Sequence, residues 1–187
     1  MSELLTEAEL LRRIAAGDKQ RYAEIVDRYK GKVYGLLRGM GANHQDAQDL
    51  AQETFIRAYR KLESLREGER FSAWIYSIAV NAMRDFTRRR RPLYIEDEQV
   101  PEPRSDDTPE KQVLNLEMRR EVHRLLERLP EKYRIVLLLR YTNELSYDEI
   151  ADITGLSENQ VKNRIYRAKK SLYKKVQAEG GVRYEML

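Results

Sequence analysis

The sequence predicts an all-α protein of two small helical domains joined by an acidic, proline-rich linker. Three observations carry that expectation. Apolar residues recur at three- and four-residue spacings in both halves, without the sustained alternation that a half-buried strand needs. Four of the five prolines, Pro92, Pro101, Pro103 and Pro109, fall within 18 consecutive positions. Charge divides at the same place: residues 1–92 carry 18 basic and 13 acidic side chains, 93–113 carry 2 and 7, and 114–187 carry 15 and 11. Two basic bodies on an acidic tether follow, with bounds expected at 1–92, 93–110 and 111–187. The tether reads as a solvated spacer, or else as an electrostatic decoy or a segment threaded through a partner.

Composition narrows the functional classes. The 187 residues hold 35 Lys plus Arg against 31 Asp plus Glu, for a net charge of +4. Two bodies of this size each lie near the lower limit for a self-sufficient core. The chain has no Cys, which removes disulfides, thiolate nucleophiles and thiolate metal sites, and it has only two His, His44 and His123. No run approaches the length of a membrane span, and the stretch from Met1 to Leu11 carries acids where a secretory signal needs a basic end. A cytoplasmic protein is expected, with no cofactor and no metal.

In chain order, Thr6 and Glu9 make a capping box for a first short helix carrying Leu10, Leu11 and Ile14, which Gly17 ends. Asp18 is placed to cap the second, whose stripe is Tyr22, Ile25, Val26, Tyr29, Val33, Leu36 and Leu37. Gly39 and Gly41 break the chain before a third helix near Asn43, burying Ala47, Leu50, Ala51, Thr54, Phe55, Ala58 and Leu62. A polar turn around Gly68 leads to a fourth helix from about Ser72 to Arg90, stopped by Pro92. Beyond the tether, Thr108 and Pro109 read as N-cap and first turn of a helix with Val113, Leu116, Val122, Leu125, Leu126 and Leu129. Pro130 opens another, through Ile135, Val136, Leu137, Leu139 and Tyr141, and two short helices complete the domain.

Those last two helices carry the strongest local signal. Ser146 to Glu149 and Ser157 to Gln160 are capping boxes eleven residues apart, with Gly155 at the turn and Leu156 as its apolar plug. That is the pattern of a helix-turn-helix. Val161, Ile165, Ala168 and Leu172 fall on one side of the second helix at about 100° per residue, so they form its core face. The opposite side is then Asn159, Lys162, Asn163, Tyr166 and Lys170, with Arg167 beside them. Amides and guanidinium groups suit base edges, and an aromatic ring suits a thymine methyl. From Ser157 to Lys175 there are seven basic residues and one acid, a balance that favours a duplex backbone. The alternative is an αα-hairpin with a solvated basic face.

The fourth helix closes on a second basic run, Arg84, Arg88, Arg89, Arg90 and Arg91, with Phe71, Trp74, Tyr76 and Phe86 in and before it. Rings and cations together suit single-stranded nucleic acid. Trp74 and Phe86 share an apolar stripe with Ile75, Ile78 and Ala82, so Trp74 is read mainly as core, and Tyr76, Asn81, Arg84 and Arg88 as the contacts. On the third helix Asp49, Gln52 and Glu53 share a face of an otherwise basic domain. They serve the helix dipole, or they dock a basic protein.

Taken together, these motifs resemble those of the bacterial extracytoplasmic-function sigma factors. Region 2 of that family is suggested by DAQDLAQETF and ERFSAWIYSIAVNAMRDFTRRRRP, and region 4 by LERLPEKYRIVLLLRY and LSYDEIADITGLSENQVKNRIYRAKKSL, in family order over nearly the whole chain. The resemblance implies that Asp49, Gln52 and Glu53 dock on the clamp helices of the largest subunit of core RNA polymerase, with a second contact at the flap region. It implies that the turn from Glu63 to Ser72 and the helix after it capture the non-template strand of the minus-10 element, through Arg70, Ser72, Tyr76, Asn81, Arg84 and Arg88. It assigns Lys162, Asn163, Tyr166 and Arg167 to the minus-35 element, with Asn159, Arg164 and Lys170 in the same set. The partners it implies are core polymerase, double- and single-stranded promoter DNA and a membrane-bound anti-sigma factor, in an envelope or stress response. Ser77 departs from the family, where many relatives carry Arg. The reading from another class is a self-sufficient helix-turn-helix repressor with a helical effector or dimerisation domain. A metal-dependent nuclease is more distant, because no acid and His cluster suggests a metal site.

Overall fold

The computed structural model describes residues 5–65, 70–89 and 121–178. Every regular element among them is helical. They are α1 (Glu7–Ala15), α2 (Tyr22–Gly39), α3 (His44–Arg60), α4 (Phe71–Arg89), α5 (seen over 121–127), α6 (Glu131–Leu137), α7 (Tyr147–Thr154) and α8 (Glu158–Ala178). The helices form two compact units, one from α1 to α4 and one from α5 onward. The linker 93–110, the Thr108 cap, the turn at Gly68, Arg90, Arg91, Val113, Leu116 and the tail after Ala178 lie outside the described residues.

In the first unit α1 begins at the expected capping box, with Glu9 N–H donating to Thr6 Oγ1 and Thr6 N–H donating back to the Glu9 carboxylate. Each such reciprocal pair satisfies two helix-end donors, worth about 1 kcal/mol. The Thr6 bonds hold the Glu9 carboxyl below its usual range. Leu10 and Ile14 are buried, and the Arg28 guanidinium donates to Leu5 O at 2.6 Å. The Tyr29 hydroxyl donates to Glu7, and burial first, then that carboxylate, push the phenol well above its ordinary value. Asp18 does not cap α2: a 3-10 turn, Lys19–Arg21, intervenes, and the Asp18 carboxylate accepts from Arg21 Nε at 2.9 Å.

Ile25, Val33, Leu36 and Leu37 of α2, Ala47, Leu50, Phe55 and Ala58 of α3, and Ile75, Ala79, Val80, Ala82 and Met83 of α4 make the core. Each fully buried large aliphatic side chain stabilises it by about 1.5–3 kcal/mol. Thr54 enters that core by donating its hydroxyl to Leu50 O at 2.7 Å. An aromatic cluster joins α2 to α4, with the Tyr29 ring edge-on to Phe71 at 5.3 Å and to Tyr76 at 6.1 Å. Gly41 has φ +104, a left-handed turn that separates α2 from α3 without the penalty a Cβ would bring.

In the second unit α6 ends at Leu137 and the chain widens into a π-helical turn, Leu138–Thr142, closed by Asn143 N–H to Leu138 O at 3.0 Å. The apolar run from Ile135 to Tyr141 is therefore not one uniform α-helix. Glu144 follows with φ +60. α7 is short, as expected, but α8 runs for 21 residues. α6 and α7 both pack against α8, and the π-turn packs against α6 and α7.

Candidate nucleic-acid interface

The helix-turn-helix is built as its sequence dictates. Ser146 N–H donates to Glu149 at 2.8 Å, and Ser157 N–H donates to Gln160 at 2.9 Å, so both helices start at a reciprocal box. Gly155 sits at φ +72, with its N–H and that of Leu156 both bonded to Ala151 O. Ile150, Ala151 and Ile153 are buried under α7, and Val161, Ile165 and Ala168 under α8, while Leu156 and Leu172 are half-buried.

With that face fixed, Asn159, Lys162, Asn163, Tyr166, Arg167 and Lys170 are all exposed on one side of a rigid rod, and Arg164 is half-buried at its edge. Tyr166 is 66 % exposed, a large ring that the fold itself does not use. Lys162 pairs only loosely with Glu158, at 3.7 Å. Polar amides, an unburied ring and cations project together, which is the equipment for entering a major groove.

α4 divides its sequence-derived candidates. At about 100° per residue Asn81, Arg84 and Arg88 fall within about 60° of one another, and Arg70 at the helix start shares that line. All four are exposed. Asp85 accepts from Arg88 at 3.0 Å. Tyr76 is a correction: it is 1 % exposed and packs on Tyr29, so its ring cannot reach a base without opening the core. Ser72, half-buried on the same packed side, is also turned away from Arg84. The ring bordering the Asn81–Arg84 line is Trp74, half-buried and tilted against Phe71 at 5.6 Å. The missed signal was the spacing of Tyr76 from Ala79 and Met83, which puts all three on one buried face.

On α3, Asp49 and Gln52 are exposed and Glu53 is half-exposed. Gln45 donates to Asp49 at 3.2 Å, and Glu53 pairs with Arg57, which also approaches Asp85 at 3.8 Å. Ile56, 44 % exposed, and Tyr59, 37 % exposed, continue this face one and two turns on. Neither is among the residues expected from the sequence, although Ile56, apolar, three or four after Gln52 and Glu53 and outside the core stripe, is the available clue, and Tyr59 follows three after it.

Comparison with known proteins now bears on these two units. Residues 25–92 match the Sigma-70 region 2 family, and residues 119–172 match Sigma-70, region 4. The ECF RNA polymerase sigma factor SigW of Bacillus subtilis is 36% identical over 176 residues, 89% of this chain and 94% of that one. The chain belongs to the extracytoplasmic-function sigma factors. The ECF RNA polymerase sigma-E factor of Escherichia coli K12 is 35% identical over 187 residues, covering 95% of this chain and 97% of that one. Among solved structures, CnrH in complex with the cytosolic domain of CnrY superposes with TM-score 0.70 at 27% identity, covering 91% of this chain and 97% of that one. The sigma factor RpoE of Bartonella quintana, in complex with the anti-sigma factor NepR, shares the fold at TM-score 0.68 and 21% identity, covering 83% and 96%. The membership favours a transcription initiation factor over a stand-alone repressor. Among the described residues no helix is long and apolar enough to cross a membrane, and no three acidic or His side chains gather as a metal site.

Proposed function

We propose that this sigma factor is a dissociable specificity subunit that carries no catalytic residue: it binds core RNA polymerase, reads a two-part promoter and traps melted DNA. Residues 1–92 serve as region 2, 93–110 as the linker and 111–187 as region 4. Asn159, Lys162, Asn163, Arg164, Tyr166, Arg167 and Lys170 meet the minus-35 duplex. Asn81, Arg84, Arg88 and Arg70, with Trp74 in place of Tyr76, hold the separated minus-10 strand; extruding a base costs a few kcal/mol, which ring and phosphate contacts must offset. Asp49, Gln52 and Glu53, extended by Ile56, dock on the largest polymerase subunit, and region 4 docks near the flap. The site of action is the cytoplasm, under an anti-sigma factor anchored in the membrane. In support of such a regulator, relatives are solved with the cytosolic domain of CnrY and with an anti-sigma factor.

The observation that carries this reading is the exposed α8 face opposite Val161, Ile165 and Ala168. Each domain alone offers few DNA contacts, so affinity comes from holding both on one enzyme, where the linker raises the effective concentration of the second contact. The test is run-off transcription and gel shift with and without core polymerase on a promoter library. Start-site selection is expected only with core present, and Arg167→Ala is expected to cost about 1–3 kcal/mol at the minus-35 element. Tight binding of one short duplex by the chain alone, indifferent to polymerase, refutes the proposal.

A further inference from the structure

A relay of side chains runs from α1 through α2 to the ring on the strand-facing side of α4. Its first link joins two helices: the Tyr29 hydroxyl of α2 donates to the Glu7 carboxylate at the start of α1. Burial, and after it that carboxylate, raise the phenol well above its ordinary value, so the hydroxyl keeps its proton and remains a donor. The Tyr29 ring stands edge-on to Phe71, the first residue of α4, at 5.3 Å and 65°. Phe71 is fully buried, and Trp74, nearly one turn on, tilts against it at 5.6 Å. Trp74 is half-buried on the side of α4 that carries Asn81 and Arg84, and it is the one tryptophan of the sequence.

We propose that Tyr29 is a positioning residue for strand capture: pinned at its hydroxyl by Glu7, it sets through Phe71 the tilt of Trp74, and α1 thereby belongs to the minus-10 apparatus. The proposal rests on the assignment of Trp74 to the separated strand. Three features distinguish positioning from packing. The core uses the ring and not the hydroxyl, since Tyr29→Phe keeps the edge contacts with Phe71 and Tyr76. Edge-to-face pairs are directional, because the positive edge of one ring meets the negative face of the next, so a shift of the first ring is passed on to the second. A bond to a carboxylate is charge-assisted and about twice as strong as one between neutral groups, which fixes the far end of a half-buried ring. α1 itself is held by other means, the buried Leu10 and Ile14 and the Arg28 guanidinium on Leu5 O, so loss of the Glu7 bond frees the ring without detaching the helix.

Holoenzyme assembled from core polymerase and the full chain is titrated with a single-stranded oligonucleotide of the minus-10 sequence that run-off transcription selects. The free full chain is read by the fluorescence of its single tryptophan. Tyr29→Phe and Glu7→Ala are each expected to lose about 5-fold in strand affinity, and the double variant no more than either alone, as for two ends of one bond. Glu7→Gln retains an acceptor at about half the strength and is expected to lose about 2-fold. The same variants, in the same order, leave Trp74 more open to acrylamide quenching. Ile14→Val loosens the packing of α1 without touching the bond, and is expected to change neither reading. If Ile14→Val lowers strand affinity as much as Tyr29→Phe does at equal loss of stability in urea, α1 acts through the fold and the proposal is overturned. Wild-type affinity and quenching in Tyr29→Phe overturn it as well. Trp74→Leu is run in parallel in the affinity assay. A loss with Trp74→Leu but none with Tyr29→Phe removes this inference alone; no loss with Trp74→Leu removes the minus-10 role of Trp74 and the inference with it.

Discussion

Ile56→Ala probes the proposed docking face of α3 at a residue the fold leaves part-exposed. Fully burying an Ile side chain is worth about 1.5–3 kcal/mol, and with 44 % of Ile56 exposed, a partner that covers it can add roughly 0.7–1.3 kcal/mol. Truncation to Ala should therefore weaken core binding by about 1 kcal/mol, close to 5-fold in Kd at 25 °C. The neighbours that hold α3, Leu50, Phe55 and Ala58, are on the other side, but the covered part of Ile56 is worth roughly 0.8–1.7 kcal/mol by the same coefficient, so the unfolding free energy should fall by about 1 kcal/mol as well. Competition of unlabelled variant against labelled wild-type chain for core polymerase measures the first quantity, and urea unfolding the second. A variant that competes as well as wild type refutes the assignment of this face. So does a binding loss that disappears once the folded fraction of the variant is taken into account, because Ile56 would then be acting through the fold.

The other predictions concern melting, the turn and acid. Arg84→Ala with Arg88→Ala should slow promoter opening more than closed-complex binding and flatten the salt dependence of opening by roughly 1.4 in log–log slope; equal effects on both steps would leave simple anchoring as the role of these residues. Gly155→Ala meets no atom within 4 Å, so its cost is the left-handed backbone alone, about 1–2 kcal/mol in urea unfolding of the second unit, and an unchanged midpoint would contradict that. The Glu9 carboxyl titrates below its ordinary 4.5 in the folded chain. Its contribution to α1 is therefore complete above that value and fades as pH falls through the lower, folded-state pKa. Amide protection factors in α1, taken against the intrinsic exchange rate at each pH, should fall over that acid range in wild type and lose this dependence in Glu9→Gln.

Much of this architecture was legible because its signals are local. The boxes at Thr6, Ser146 and Ser157 and the glycine at 155 fix helix ends within a few residues of chain, and the face of α8 follows from four apolar positions. What escaped depends on three-dimensional neighbours. Tyr76 shares a helix with arginines, and composition cannot say on which side of the helix a ring stands; the Tyr29 ring across the core decides it. Asp18 has the right residue type for a cap, but Arg21 captures its carboxylate. The π-turn inserts extra backbone where the apolar run from Ile135 to Leu139 passes into Arg140, with no proline or glycine between Ile135 and Thr142 to announce it. Ile56 and Tyr59 escaped for another reason: their mark is an apolar side chain off the core stripe, and single apolar residues are ordinary on a solvated surface.

Arg57 stands between two carboxylates on different helices, Glu53 on α3 and Asp85 on α4, and Asp85 in turn restrains Arg88. Substituting Glu53 therefore does more than delete one negative group from an outer surface. It leaves Arg57 with Asp85 alone, the same carboxylate that restrains Arg88, a cation proposed above to meet the opened strand. On the proposed roles a defect measured in Glu53→Ala mixes core docking with strand capture, whereas Asp49, bonded to the uncharged Gln45, reports on docking alone.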